Sequence, residues 1–364
     1  MPRCNFNELF RSADFLVKHA HRHASICVVT FDSYADDRSL ERDAFAEEFL
    51  EARGLSAIHI VNAANRWYQE PALEQVFAIL RPTLAAYTRV VLYGSSMGGY
   101  AALRFADRLR GNLVIAISPQ YTLAPQEVPF DPRWKKPARR VRWRKDLLLP
   151  LPPGPTSVVI YDPAHILDRR HVDLIAQDRP IVRVAVPYSG HPSGTYLAEG
   201  GLIVPLIMGL IGDTPDIDAI LTAARRLRRQ TPGYWMAHMI KVQTRSTAKA
   251  ILIGKEALRL HPNVPYLRAQ VAMLNLQACN FNAAVEFFDQ AHQQAPGNQL
   301  IAHLRARALA AAGRLRQAMR VPRKNRPSAL GLFIEWLYAR MCLHSRRTDE
   351  HKRRFANASK IKRC

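Results

Sequence analysis

The chain has 364 residues, 48% apolar and 23% charged, which excludes a disordered polymer and leaves room for two ordinary domains. Its formal net charge of +22 attracts anions, but the sequence has no zinc finger, RNP motif or basic zipper, so a solvated basic surface is expected rather than a specific nucleic-acid site. The cysteines are scattered without CxxC spacing, which argues against a disulfide framework or zinc site, and no run reaches the ~20 apolar residues of a membrane span.

In chain order, residues 1–25 read as an N-terminal extension. Their first residues, MPRCNFNELFRSADF, lack the apolar core of a signal peptide, so a cytoplasmic protein is expected. Ile26–Phe31 (ICVVTF) is a short apolar run that predicts a strand, and it ends in Asp32-Ser33-Tyr34. Arg42–Arg53 has helical spacing and stops at Gly54. Ala57–Val61 predicts a second strand, and Ala72–Tyr87 predicts a helix that Pro82 should kink or interrupt. Arg89–Tyr93 predicts a third strand, leading into GSSMGGYAALRFADRL. Leu113–Ile117, Ser157–Tyr161 and Ile181–Val186 are further β-branched runs. Strands alternating with helical segments predict an α/β domain over 26–214, with a mainly parallel sheet covered on both faces. Gln120–Pro153 breaks the rhythm. It is rich in proline and arginine, carries Trp134 and Trp143, and reads as a lid insertion between two strands. Gly201–Gly212 is apolar but short, and reads as a buried helix.

Beyond about Pro215 the strand runs end. Residues 215–244 read as a helical linker, 245–325 as repeats, and 326–364 as a basic C-terminal helix or tail. Ala250, Ala284 and Ala318 lie 34 residues apart, as do Ala257 and Ala291, and Pro262 and Pro296. That is the tetratricopeptide period, in which one helix pair stacks on the next. The 265–298 repeat fits best, with Ala272, Ala284, Phe288 and Ala291 at packing positions, although Arg268 and Asn275 replace the usual aromatics of its first helix.

The chemistry centres on Gly94-Ser95-Ser96-Met97-Gly98, a G-x-S-x-G pattern between a strand and an alanine-rich helix. That setting is a nucleophile elbow, with Ser96 at its tip. A serine needs a base, and the base needs an orienting acid, which follow in the order acid then histidine. His191 lies in the glycine-flanked loop after the last strand. His59 sits within a strand and reads as structural, and His165 and His171, near the acid, are weaker base candidates. Asp162, at the end of a strand, is favoured as the acid over Asp168, which resembles a helix N-cap. The oxyanion hole is expected from the backbone N–H of Met97 and an N–H of the Asp32-Ser33-Tyr34 loop, with Ser33 the donor. No metal or cofactor is expected.

The segments FDSY, NRWYQ, YGSSMGGYAAL, SPQYTL, VPFDPRW and YDPAHILDRRH together resemble a bacterial α/β-hydrolase group that carries tetratricopeptide repeats and is met beside enzymes of surface-polysaccharide metabolism. The resemblance implies the triad Ser96, Asp162 and His191, and places Trp67, Tyr68, Arg133 and Trp134, with Arg66 and Asp131, around the pocket or lid. It fixes no substrate. The elbow and the triad order point to a serine esterase or acyl-transfer enzyme acting on an ester, and the lid's tryptophans and arginines, suited to sugar stacking and acidic sugars, point to an acylated carbohydrate; the repeats are expected to bind a protein partner. The competing reading is an interaction protein whose hydrolase-like domain is an inactive scaffold.

Overall fold

A computed structural model describes residues 6–340, except 24, 36, 149, 323–324, 328–331, 333–334 and 336–339. The basic block Arg346–Lys362, and most of the expected tail at 326–364, lie outside the described residues. The chain divides into two compact units, Met1–Tyr234 and Trp235–Cys364.

The first unit is built on β1 (Asn7–Arg11), β2 (Phe15–Ala20), β3 (Ile26–Phe31), β4 (Ser56–Asn62), β5 (Arg89–Ser95), β6 (Leu113–Ile117), β7 (Thr156–Tyr161) and β8 (Val182–Ala185). Its helices are α1 (Glu47–Glu51), α2 (Leu73–Leu84), α3 (Met97–Phe105), α4 (Lys135–Ala138), α5 (Ile166–Asp178), α6 (Ser193–Glu199), α7 (Ile203–Ile211) and α8 (Ile217–Leu227). One eight-stranded sheet runs in the order β1-β2-β4-β3-β5-β6-β7-β8. Strands β3 to β8 pair in parallel, and β1 and β2 are antiparallel additions at one edge. This is the mainly parallel, helix-covered sheet that the alternation of strands and helices anticipates.

Because successive strand residues point to opposite faces, the central strands feed two cores. Val29, Ile58, Ile60, Leu92, Val114 and Ala116 pack beneath α2, α3 and the 120–153 insertion. Val28, Ala57, Val91, Ile115, Ile117 and Ile160 pack beneath α1, α6, α7 and α8. Residues buried on both faces need continuous apolar runs, which is why these strands were legible.

Three expectations are corrected. The N-terminal stretch is no extension, because β1 and β2 belong to the sheet. Lys18 interrupts the apolar run of β2, yet it is buried against Glu47, with Nζ 2.9 Å from Oε2. Helix α2 continues through Pro82, which falls in its last turns and costs only one intrahelical donor. The linker assignment at 215–244 also fails for α8, whose Ile220 and Ala224 belong to the second core of the sheet.

Helix α9 (Pro232–Gln243) leads into the second unit, which continues through α10 (Thr247–Leu260), α11 (Pro265–Gln277), α12 (Phe281–Gln294), α13 (Gln299–Ala311) and α14 (Leu315–Arg320). Its described residues form no strand between 245 and 320. Helices α10, α12 and α14 begin at Thr247, Phe281 and Leu315, at intervals of 34 residues. Ala250, Ala257, Ala272, Ala284, Ala291 and Ala318 are all fully buried. Arg268, in place of an aromatic, reaches the carbonyl of Pro262 and the side chains of Gln290 and Gln294. Asn275 is buried, with its amide donating to the Val271 carbonyl. Among the described residues no single helix is long and apolar enough to cross a membrane.

The tightest packing in the sheet unit lies where α3 meets β3. A Cβ on Gly98 would sit 2.1 Å from the Phe31 carbonyl oxygen, and one on Gly94 would sit 2.3 Å from the Gly98 carbonyl. Both contacts are with backbone, which cannot step aside. Gly98→Ala should therefore destabilise the protein by about 2–3 kcal/mol, the upper range of overpacking costs. Urea unfolding measures this, and an unchanged midpoint would show that α3 does not need the close approach.

Candidate active site

The parallel sheet delivers the ends of β3, β5, β6, β7 and β8 to one edge, and the site is assembled from the loops that follow them. Ser96 stands between β5 and α3 with φ 51° and ψ −114°, a strained conformation for a residue with a side chain. Its N–H donates to the Ile117 carbonyl at 2.8 Å, and its carbonyl accepts from the Tyr100 N–H at 3.0 Å. The turn is thus held from both sides while the hydroxyl projects from its tip.

That hydroxyl faces His191 Nε2 at 3.1 Å. It also accepts from Gln120 Nε2 at 2.9 Å, so it is free to donate toward the imidazole. The Gln120 amide is oriented in turn by the indole of Trp67, whose Nε1 donates to Gln120 Oε1 at 3.4 Å. Sequence reasoning did not single out Gln120. Its signal was position alone, two residues beyond Ser118 at the C-terminal end of β6.

On the far side of His191, Nδ1 lies 2.7 Å from Asp168 Oδ2. This corrects the expected acid. Asp162 instead accepts three backbone N–H groups, Ala164 at 2.8 Å, Tyr188 at 2.9 Å and Gly190 at 2.9 Å. It ties the His191 loop to the end of β7 and leaves no contact with the imidazole. Burial raises the Asp162 carboxyl even though these donors favour its charge. Asp168 sits in the first turn of α5, where the helix entry swings its carboxylate toward His191. The N-cap is His165, whose Nδ1 accepts from the Asp168 N–H at 3.2 Å.

Met97 begins α3, so its N–H has no intrahelical acceptor. Ser33 Oγ donates to the Ser95 carbonyl at 2.9 Å, which clamps the loop after β3 to the end of β5. Gly98, next to Met97, approaches the Phe31 and Asp32 carbonyls, so the start of α3 packs on the end of β3 and the residue after it.

The residues expected to line a pocket divide. Trp67 and Tyr68 are 0% and 1% exposed and belong to the core. Tyr68 donates to the Asp32 carbonyl, and Trp67 packs against Tyr34, Trp134 and Trp143. Arg133 is engaged by Asp131 and Asp168. Trp134 is half-buried on Tyr34, with ring centroids 4.7 Å apart, and its indole N–H has no hydrogen-bond partner among the described residues. The 120–153 insertion is far from a loose flap: its Ala138, Val141, Leu147 and Leu151 are buried in the first core. His59 is structural as expected, with Nδ1 on the Thr30 hydroxyl, and burial pushes it down to about 4.

No protein-family model matches the chain, and no curated protein matches it. Among solved structures it is similar to the capsule O-acetyltransferase of Neisseria meningitidis serogroup A, with 10% identity over 49% of this chain and 85% of that chain, at a TM-score of 0.38. It is similar to alpha/beta hydrolase domain-containing protein 10 from mouse, with 15% identity over 57% of this chain and 99% of that chain, at a TM-score of 0.38. It is also similar to Est1E from Butyrivibrio proteoclasticus, with 13% identity over 57% of this chain and 99% of that chain, at a TM-score of 0.35.

Burial alone would push the carboxyls of Asp168 and Asp131 up. The charge and the hydrogen bond of His191 instead hold Asp168 well below the usual range. Bonds from His171 and Arg133 do the same for Asp131. A carboxyl depressed by folding contributes stability that is complete above the unfolded value of about 4 and is lost as pH falls below it. Unfolding free energy should therefore decline as pH drops from about 4 to about 2, and Asp168→Asn should flatten that decline. Urea titrations across this range are the measurement; an identical slope in the variant would contradict the depressed carboxyl.

Proposed function

We propose that the chain is a serine hydrolase of the esterase or acyl-transfer type. The carrying observation is the line from Ser96 Oγ to His191 Nε2 at 3.1 Å and from His191 Nδ1 to Asp168 Oδ2 at 2.7 Å, on a strained turn at a helix N-terminus. In this reading Ser96 Oγ attacks an ester carbonyl while His191 Nε2 takes its proton. The tetrahedral oxyanion is met by the N–H of Met97 and an N–H of the Ser33 loop. As the ester C–O bond breaks, His191 returns the proton to the leaving alkoxide. Water or an acceptor hydroxyl, deprotonated by His191, then attacks the acyl carbon; the bond to Ser96 Oγ breaks and His191 returns the proton to that oxygen. Asp168 fixes the imidazole tautomer and stabilises the imidazolium.

Two features support an acylated, anionic carbohydrate as the substrate class. Trp134 is half-buried and packed on Tyr34, an aromatic surface of the kind that stacks on a sugar face. Beside it, Tyr34, Asn65, Arg38, Arg66 and Arg140 line a cavity of about 370 Å³ whose lining, among the described residues, includes no carboxylate. In the second unit, the 34-residue spacing of helix starts and the buried alanines support a tetratricopeptide-like array that binds a protein partner or a second copy of the chain.

Ser96→Ala should abolish labelling by a fluorophosphonate probe and hydrolysis of a short p-nitrophenyl ester, with the Tm nearly unchanged. Asp168→Asn should lower kcat by about 10²–10⁴-fold. Asp162→Asn should act through the loop and show chiefly as a lower Tm. Turnover that survives Ser96→Ala would dismiss the enzyme reading. Loss at constant Tm in Asp162→Asn, but not in Asp168→Asn, would reverse the two aspartates.

A further inference from the structure

Arg133 is where the 120–153 insertion reaches the acid. Its Nη1 donates to Asp168 Oδ1 at 2.8 Å, leaving Oδ2 to His191. Its Nε and Nη2 fork onto Asp131 at 3.0 Å and 2.7 Å. Both carboxylates are buried, with side chains 0% and 1% exposed. Behind Asp131 stands His171, whose Nδ1 accepts from the Tyr121 N–H at 3.2 Å. Its proton is therefore on Nε2, which donates to Asp131 Oδ2 at 3.0 Å.

Among the described residues, these charged and titratable groups stand around the imidazole, with Asp162 beyond them on the Gly190 N–H. Asp168 faces His191, His165 and Arg133. Asp131 faces Arg133 and His171. The ring of His191 faces Ser96, Asp168 and the ring of His165, whose centroid is 6.0 Å away. A carboxylate beside an imidazole makes it more basic, and a cation on the opposite oxygen takes part of that effect back. Two buried carboxylates held this close also need a cation between them. Arginine can bridge them because its planar fork serves two acceptors at once, which a lysine ammonium does not reproduce.

We propose that Arg133 is a positioning residue: it locks the Asp168 carboxylate with Oδ2 toward His191 and, through its charge, sets how readily His191 accepts the serine proton. The insertion is thereby part of the catalytic frame, and its seating on the core determines the basicity of a histidine it does not touch. The proposal rests on His191 as the base.

The test is the pH profile of kcat/KM on a short neutral p-nitrophenyl ester, whose acid limb reports the free enzyme's base. Arg133→Gln should move that limb upward by about one unit, since the full carboxylate charge then stabilises the imidazolium. Asp131→Asn should move it downward, because Arg133 is left wholly to Asp168. Arg133→Lys should keep the limb near its original place while lowering kcat, because one ammonium cannot bridge both acids. Opposite shifts in the first two variants support the proposal. Profiles that superimpose on the parent after scaling would overturn it, as would a rise in KM for anionic esters alone with the limb unmoved. If Arg133→Gln does not fold, the downward shift in Asp131→Asn decides the matter by itself. Turnover retained by His191→Gln would instead remove the base, a failure of the underlying reading separate from that of Arg133.

Discussion

The backbone contact between α3 and β3 is the constraint on which the site depends. With no side chain at Gly98, the first turn of α3 settles against the carbonyl of Phe31, and Gly94 lets the same turn fold back on itself. That approach forces Ser96 into its strained conformation and sets the start of α3 on the end of β3, ahead of the loop that carries Ser33. A larger residue at either glycine would separate the helix from the strand. The projection of the Ser96 hydroxyl, the helix N-terminus behind it and the neighbouring N–H groups would all be lost together.

How much was legible in the sequence follows from which interactions are local. The central strands were readable because burial on both faces demands apolar runs. Ser96 and His191 were readable because glycines mark the turns that present them. Asp168 was not, because two aspartates follow β7 within seven residues and the choice depends on where α5 begins. The residue at the strand end proved to serve backbone amides, and the residue one helical turn in reaches the imidazole. β1 and β2 were missed because Lys18 looks like a surface residue until Glu47, far along the chain, is seen to neutralise it. Gln120 and the Asp131–Arg133 bridge were hidden for the same reason: their partners are assembled only by the fold.

The insertion changes meaning once its packing is known. As a sequence it has the proline and arginine content of a surface lid. In the structure its apolar residues are part of the first core, Trp143 Nε1 donates to the Ala138 carbonyl, and the backbone N–H of Arg144 donates to Gln69 Oε1. Its charge is also less free than composition suggests. Arg133 and Arg144 are both held by carboxylates, while Arg38 and Arg140 line the cavity near Tyr34. A count of arginines therefore overstates the field available to a ligand, and the distribution matters more than the sum.

Asp162 carries a consequence for how the site comes apart. By gathering the N–H groups of Tyr188 and Gly190, it hangs the His191 loop between β7 and β8. β8 is the edge strand, four residues long, and Val184 is its one fully buried side chain. Local opening follows buried contact, so an edge strand separates at lower free energy than the sheet's centre. When β8 lifts, the loop loses its frame and the imidazole leaves both Ser96 and Asp168, while β3, β5 and β6 remain paired. The alignment of His191 with Ser96 and Asp168 has the stability of the sheet's margin, and the serine has that of its middle.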